Sequence, residues 1–215
     1  MKKIISLLLV LAMAVSLAAC NGSGNDETTA PVETTAPVET TAPVETTAPV
    51  ETTAPVVGTA NGAEQILLNI WAQYADDEKF AVVGGNPDNM YMDGPAAYNA
   101  EAFENLTYSH LIPADQIASL AEAATVVHMM NANSFTAAAV KLVEGTDVAA
   151  FASTMRNAIQ TNPWMCGFPE RMIVVSLGEG YVLFAYGIND AMTPFCNKLA
   201  TAYASAETLY DEAIA

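Results

Sequence analysis

Between Glu27 and Val56 the hexapeptide Glu-Thr-Thr-Ala-Pro-Val runs five times without a change. No period of 2 or 3.6 gathers its apolar groups on one face, so this stretch cannot close a packed core. Regular prolines and like-signed glutamates favour an extended, polyproline-like chain. Thirty residues at about 3.1 Å each could reach on the order of 90 Å. Threonine-rich stalks are also acceptors for glycosylation. The repeat therefore divides the 215 residues into a leader before it and a folding segment after it.

The leader opens with Lys2 and Lys3 and continues as an apolar run from Ile4 to Leu17. Spanning a bilayer core takes roughly 20 apolar residues, so this run is too short, and its basic start marks an export signal. It closes on Leu17-Ala18-Ala19-Cys20, small residues directly before a cysteine. That pattern predicts cleavage before Cys20 and lipidation of its thiol. A diacylglyceryl group supplies the two buried chains that stable anchoring requires. Residues 1–19 then read as a signal peptide, 20–61 as a lipid-anchored stalk and 62–215 as a single globular head. The expected location is the outer face of the cytoplasmic membrane.

Net charge is −17, and loss of Lys2 and Lys3 with the leader takes it to −19. Residues 62–215 carry 18 acids against five bases. Such a surface disfavours nucleic acid, anionic headgroups and anionic wall polymers as direct partners. With Cys20 assigned to lipid, Cys166 and Cys196 remain in a disulfide-permissive setting. A bridge between them and two buried free thiols both stay open, the exported setting favouring the bridge.

Within the head, Ile66, Leu67, Ile70, Trp71 and Tyr74 follow helical spacing, predicting a helix over 63–75 with Asn61 as cap. Residues 80–83 read as a short strand. The turn formers of Gly84–Asn89 follow, and acids around Asp88 and Asp93 lack the alternation of a calcium loop. Residues 95–111 are weakly patterned, and Pro113 opens a short helix to about Ala121. Residues 125–130 and 135–143 read as a hairpin across Asn131-Ala132-Asn133-Ser134. Val148, Phe151, Met155 and Ile159 mark a helix ending before Asn162-Pro163. Residues 172–177 and 181–186 read as strands joined by Gly178-Glu179-Gly180, apolar enough to be central. Thr193-Pro194 is expected to open a last helix bearing Phe195, Leu199 and Tyr203. The predicted class is α+β: an antiparallel sheet with helices packed on it, from two successive strand–strand–helix units.

Chemistry is harder to find. Trp164-Met165-Cys166-Gly167-Phe168-Pro169 superficially suggests a thioredoxin-type site, but no second cysteine follows two residues on. Strand follows it instead of a helix, so the N-terminal helix dipole that activates a redox thiol is absent. His128-Met129-Met130 suggests a soft metal such as copper, yet alternation along a strand separates His128 from Met129. No nucleophile elbow, zinc-binding His-Glu-x-x-His or phosphate-binding glycine loop occurs, and His110 and His128 are the only histidines. Neither catalytic residues nor a cofactor nor a metal site is predicted.

On His128-Met129-Met130-Asn131-Ala132-Asn133-Ser134-Phe135-Thr136 and Trp164-Met165-Cys166-Gly167-Phe168-Pro169 the chain resembles a group of uncharacterised lipoproteins of Gram-positive anaerobes. They carry a domain-of-unknown-function label, and some are called bacteriocin transport accessory proteins. The resemblance covers about Ile66 to Ala204 and includes Asp77-Glu78-Lys79-Phe80. It implies an extracytoplasmic lipoprotein with an α+β head. The accessory name belongs elsewhere to thioredoxin-like proteins, and the missing second cysteine means that no functional residue is carried over. The expected activity is non-catalytic binding or scaffolding of an unknown protein or envelope ligand. Thiol-dependent or redox chemistry at Cys166 is the alternative, and a solute-binding lipoprotein a weaker one.

Overall fold

A computed structural model describes residues 60–214. The leader, Cys20 and the repeats lie outside these residues. The fold is α+β, built on an open antiparallel sheet of eight strands. In chain order these are β1 (Val82–Gly84), β2 (Tyr91–Met92), β3 (Ala96–Ala97), β4 (Leu120–His128), β5 (Phe135–Leu142), β6 (Arg171–Gly178), β7 (Tyr181–Gly187) and β8 (Glu207–Ala213). The helices are α1 (Ala63–Trp71), α2 (Leu106–Ser109), α3 (Val148–Gln160) and α4 (Asn189–Ala202), with 3-10 turns at Ala100–Asn105, Ala114–Ser119 and Asn131–Asn133.

The strands lie in the order β2-β1-β4-β5-β7-β6-β8, with β3 pairing on β4 beyond the end of β1. The two strand–strand–helix units are present as β4-β5-α3 and β6-β7-α4, and they interlock. Helix α3 carries the chain from β5 over β7 to β6, and α4 carries it from β7 over β6 to β8. Both crossovers step the same way along the sheet, from strands that run in opposite directions. Crossovers of one hand must then lie on opposite faces. They do: α4 packs with α1 on one face, where Ile66, Ile70, Phe195 and Leu199 meet Ala137, Ala139 and Leu183. On the other face α3 lays Phe151, Met155 and Ile159 against Val140, Val174 and Phe184. Covered on both sides, β7 is buried at every position, as its continuous apolar run predicts. Each face is closed by elements between Ala60 and Ile214, so this stretch carries the core it needs to fold by itself.

Local chemistry explains most element ends, and expectations are corrected at three elements. Helix α1 stops at Trp71, although Tyr74 still reaches the core through a tight turn on Trp71. Its cap is not Asn61: the Ala63 N–H donates to Glu122 Oε2 of β4 at 3.1 Å, with Gly62 at the cap position. The last helix begins at Asn189, whose N–H donates to Glu170 Oε2 at 2.8 Å, so Pro194 lies inside α4 instead of opening it. Strand β8 is the third, an addition where nothing was expected after Tyr203. Elsewhere Asp147 caps α3, its Oδ1 accepting from Ala149 and Ala150 N–H at 2.9 and 3.1 Å. The β6–β7 turn has Glu179 at φ 50° and Gly180 at φ 73°, both in the left-handed region that a type I′ hairpin needs.

Candidate functional site

The two motif segments, 28 residues apart from Thr136 to Trp164, meet at one end of the sheet. His128 ends β4, and its Nδ1 accepts the Met130 N–H at 2.9 Å, which tightens the chain into the Asn131–Asn133 turn. The Ser134 carbonyl then accepts the Ile188 N–H at 2.8 Å and tethers this turn to the start of α4. Over it lies the loop from α3 to β6. Gly167 has φ 68°, and a Cβ there would stand 2.8 Å from the Asn131 carbonyl oxygen. Only glycine permits both that backbone angle and that approach.

Between these segments and α2 opens a cleft of about 410 Å³. Register explains its floor. Val127 pairs with Thr136, and Thr136 with Tyr186. Directly paired residues point to one face, so all three project into the cleft on the α3 face. Tyr186 is buried, packs on Trp164 at 5.4 Å, and burial pushes its phenol up to about 12 against the opposing effect of the Thr136 hydroxyl. Held protonated at neutral pH, it is no base. The rim is apolar and open: Tyr108 is 88% exposed and Met165 87%, with Met130 beside them. Amide and hydroxyl groups come from Asn131, Asn162 and Ser109.

No residue lining this cleft carries a charge, although the head has 18 acids. Nor is a cation left over. Lys79, Arg156, Arg171 and Lys198 pair with Asp76, Glu212, Asp211 and Glu78, while Lys141 sits over the Tyr181 ring and donates to the Glu179 carbonyl. All five bases of the head are thus engaged. The site suits an uncharged, partly apolar ligand and offers an anion nothing.

The residues singled out in the sequence separate. Cys166 is exposed at the cleft. Cys196 is half-buried on α4, on the opposite face beside Ile173 and Val175, and burial pushes its thiol up. Both are free thiols, so the expected bridge is not formed. The early start of α4 is the reason: Cys196 stands seven residues into it, about 10 Å along the axis and over the middle of β6. His128 stacks on Phe80 at 5.0 Å, its imidazole pulled down by burial. Its Nδ1 is used as an acceptor of the Met130 N–H, whereas a ligating histidine donates from its second nitrogen. Among the described residues no group of three His, Cys, Asp or Glu side chains is placed to hold a metal ion.

Comparison with protein-family models, curated proteins and solved structures gives no match for this chain. Its function has to be read from the site alone. Sequence reasoning missed Tyr108, Thr136 and Tyr186 as site residues. Tyr186 and Thr136 lie in apolar strands that read as core, and Tyr108 lies in the weakly patterned stretch 95–111. Thr136 closes the first motif, and only register and chain reversal bring Tyr186 and Tyr108 to it.

His110 is the remaining polar group with an unusual setting. Ser109 and Leu111 line the cleft, but His110 turns inward, fully buried, with Ser109 Oγ 2.8 Å from Nδ1 and no partner for Nε2. Desolvation pushes its imidazole down to about 4. Leu111 takes φ 60° at this bend, a conformation costing an L-residue about 1–2 kcal/mol.

Proposed function

We propose that the protein is a lipid-anchored, non-catalytic binding head that receives an uncharged, apolar–aromatic ligand surface at this cleft. Lipid on Cys20 holds it at the outer face of the cytoplasmic membrane, and the repeat stalk carries the head. One observation supports this above others: a charge-free cleft rimmed by exposed tyrosine and methionine, in a head whose surface is otherwise acidic. Methionine side chains adapt to varied partners, and exposed aromatic residues anchor them. Placement supports it too. The head begins beside Glu122, six residues along β4 from His128, so the cleft lies about 20 Å from the point of attachment.

Thiol chemistry at Cys166 is the second reading, favoured by its exposure at the cleft. Against it, no hydrogen bond engages Cys166 among the described residues, and β6 follows the loop where a thiolate site would want a helix N-terminus. A two-lobed solute-binding protein has no support in a head built on one sheet.

A photo-crosslinking amino acid placed at Met165 on intact cells, with Asp147 as control, tests the binding head. A discrete adduct from Met165 alone is expected, and it should persist in a Cys166→Ser background. Equal adducts from both positions, or none, would remove the cleft as a binding site. An adduct that disappears with Cys166→Ser would favour the thiol reading.

A further inference from the structure

The two edges of the sheet differ in kind. At one, β8 carries Glu207, Asp211 and Glu212, with the last two held by Arg171 and Arg156. Charge of this sort blocks pairing with another chain. At the other edge stands β2, where Tyr91 and Met92 are 58 and 46% exposed, with Met90 just before it at 61%. This edge has no charge of its own, and the exposed Asp88 and Asp93 bracket it without an ion pair among the described residues.

Hydrogen bonding shows which groups are free. The Asp93 N–H donates to the Val82 carbonyl at 2.9 Å, and Val83 pairs with Met92. Antiparallel strands alternate hydrogen-bonded and non-hydrogen-bonded pairs. Val82–Asp93 is of the first kind, so Val83–Met92 is of the second, and the N–H and C=O of Met92 point away from β1. Side chains continue the pattern. Met92 is opposite Val83, Val83 opposite Val127, and Val127 opposite Thr136. One row on the α3 face therefore runs from the open edge into the floor of the cleft.

We propose that β2 is a docking edge for an extended segment of a partner protein, two or three apolar residues flanked by lysine or arginine. The segment adds as a further strand at Met92. One of its apolar side chains stands beside Met92, at the outer end of the row that leads through Val83 and Val127 to the cleft, and its basic ends meet Asp88 and Asp93. Main-chain bonds supply affinity and the row supplies specificity, as in other strand additions. The acidic surface accelerates the encounter with a basic segment. This rests on the binding-head reading and assigns the partner's chemistry.

The test uses residues 57–215 and a fluorescein-labelled peptide, Lys-Lys-Val-Thr-Val-Thr-Val-Lys-Lys, followed by anisotropy and amide hydrogen exchange. Saturable binding is expected, with new protection at Met92. Met92→Pro removes only the outward N–H and should weaken binding about tenfold, Met92→Leu should not, and Met92→Glu serves if the proline variant fails to fold. Asp88→Asn with Asp93→Asn should reduce both affinity and its dependence on salt. Peptide binding that ignores Met92→Pro and Met92→Glu but falls with Tyr108→Ala would overturn the edge and leave the cleft standing. Failure of the peptide to bind at all would also overturn it, with the Met165 adduct still reporting on the cleft by itself. A dimer that forms without peptide and dissolves in Met92→Glu would make the occupant a second copy of this chain, contrary to the proposal.

Discussion

Burial acts on single residues here in ways that pH can read out. Unfolded, His110 takes up a proton near pH 6.5; folded, it does so only near pH 4, because the neutral ring is the one its apolar setting tolerates. Through that window the unfolded chain binds the extra proton, so stability falls as pH drops from about 6.5 toward 4 and is fully present above it. Between pH 7 and 5 the loss due to this residue is about 2 kcal/mol. His110→Leu removes both the proton site and the unpaired Nε2. Urea unfolding of the variant at pH 7 and at pH 5 should show a smaller difference than the parent chain does. An equal difference in both proteins would mean that other groups carry the acid sensitivity.

Elements divide by how local their causes are. Helix α3 is legible in the sequence from its periodic Phe151, Met155 and Ile159, which face one core, and from Asn162-Pro163, which closes it, while its Asp147 cap shows only in the structure. Asp147→Ala should cost about 1 kcal/mol in chemical denaturation, since two helix-start N–H groups lose their acceptor. The two hairpins are legible for a similar reason, as turn chemistry and strand pattern agree within a few residues. Strand β8 is not. Glu207, Asp211 and Glu212 read as solvated charge, and it is a strand only because β6 offers a free edge, with Arg156 and Arg171 waiting across it. The start of α4 was hidden likewise, since its first N–H is received by Glu170, nineteen residues away. The site fails to show in the sequence on the same principle: strand register sets Tyr186 beside Thr136, and the fold of the chain through α2 brings Tyr108 over them, neither of which a local pattern encodes.

For the molecule as a whole, the excess of acids sets the behaviour in salt. Residues 62–215 hold 18 acids against five bases, and like charges on so small a body repel across its surface. Added salt screens that repulsion over about 10 Å at 0.1 M and less at higher concentration. The four ion pairs are at least partly exposed and lose little on screening. The melting temperature of residues 57–215 should therefore rise between about 10 and 500 mM sodium chloride, as followed by circular dichroism. A fall would show that the ion pairs outweigh the repulsion. Among the described residues no helix is long and apolar enough to cross a membrane.

Among the described residues the methionines sort into two populations with different fates under oxidative stress. Met155, Met172 and Met192 are wholly enclosed, whereas Met90, Met92, Met129, Met130 and Met165 stand open around the cleft and the β2 edge. Peroxide or hypochlorite would convert the open thioethers to sulfoxides first, turning greasy contacts into polar, chiral ones. A head so damaged would keep its fold and lose its grip. Sulfoxide reductases could restore that grip without any resynthesis of the chain.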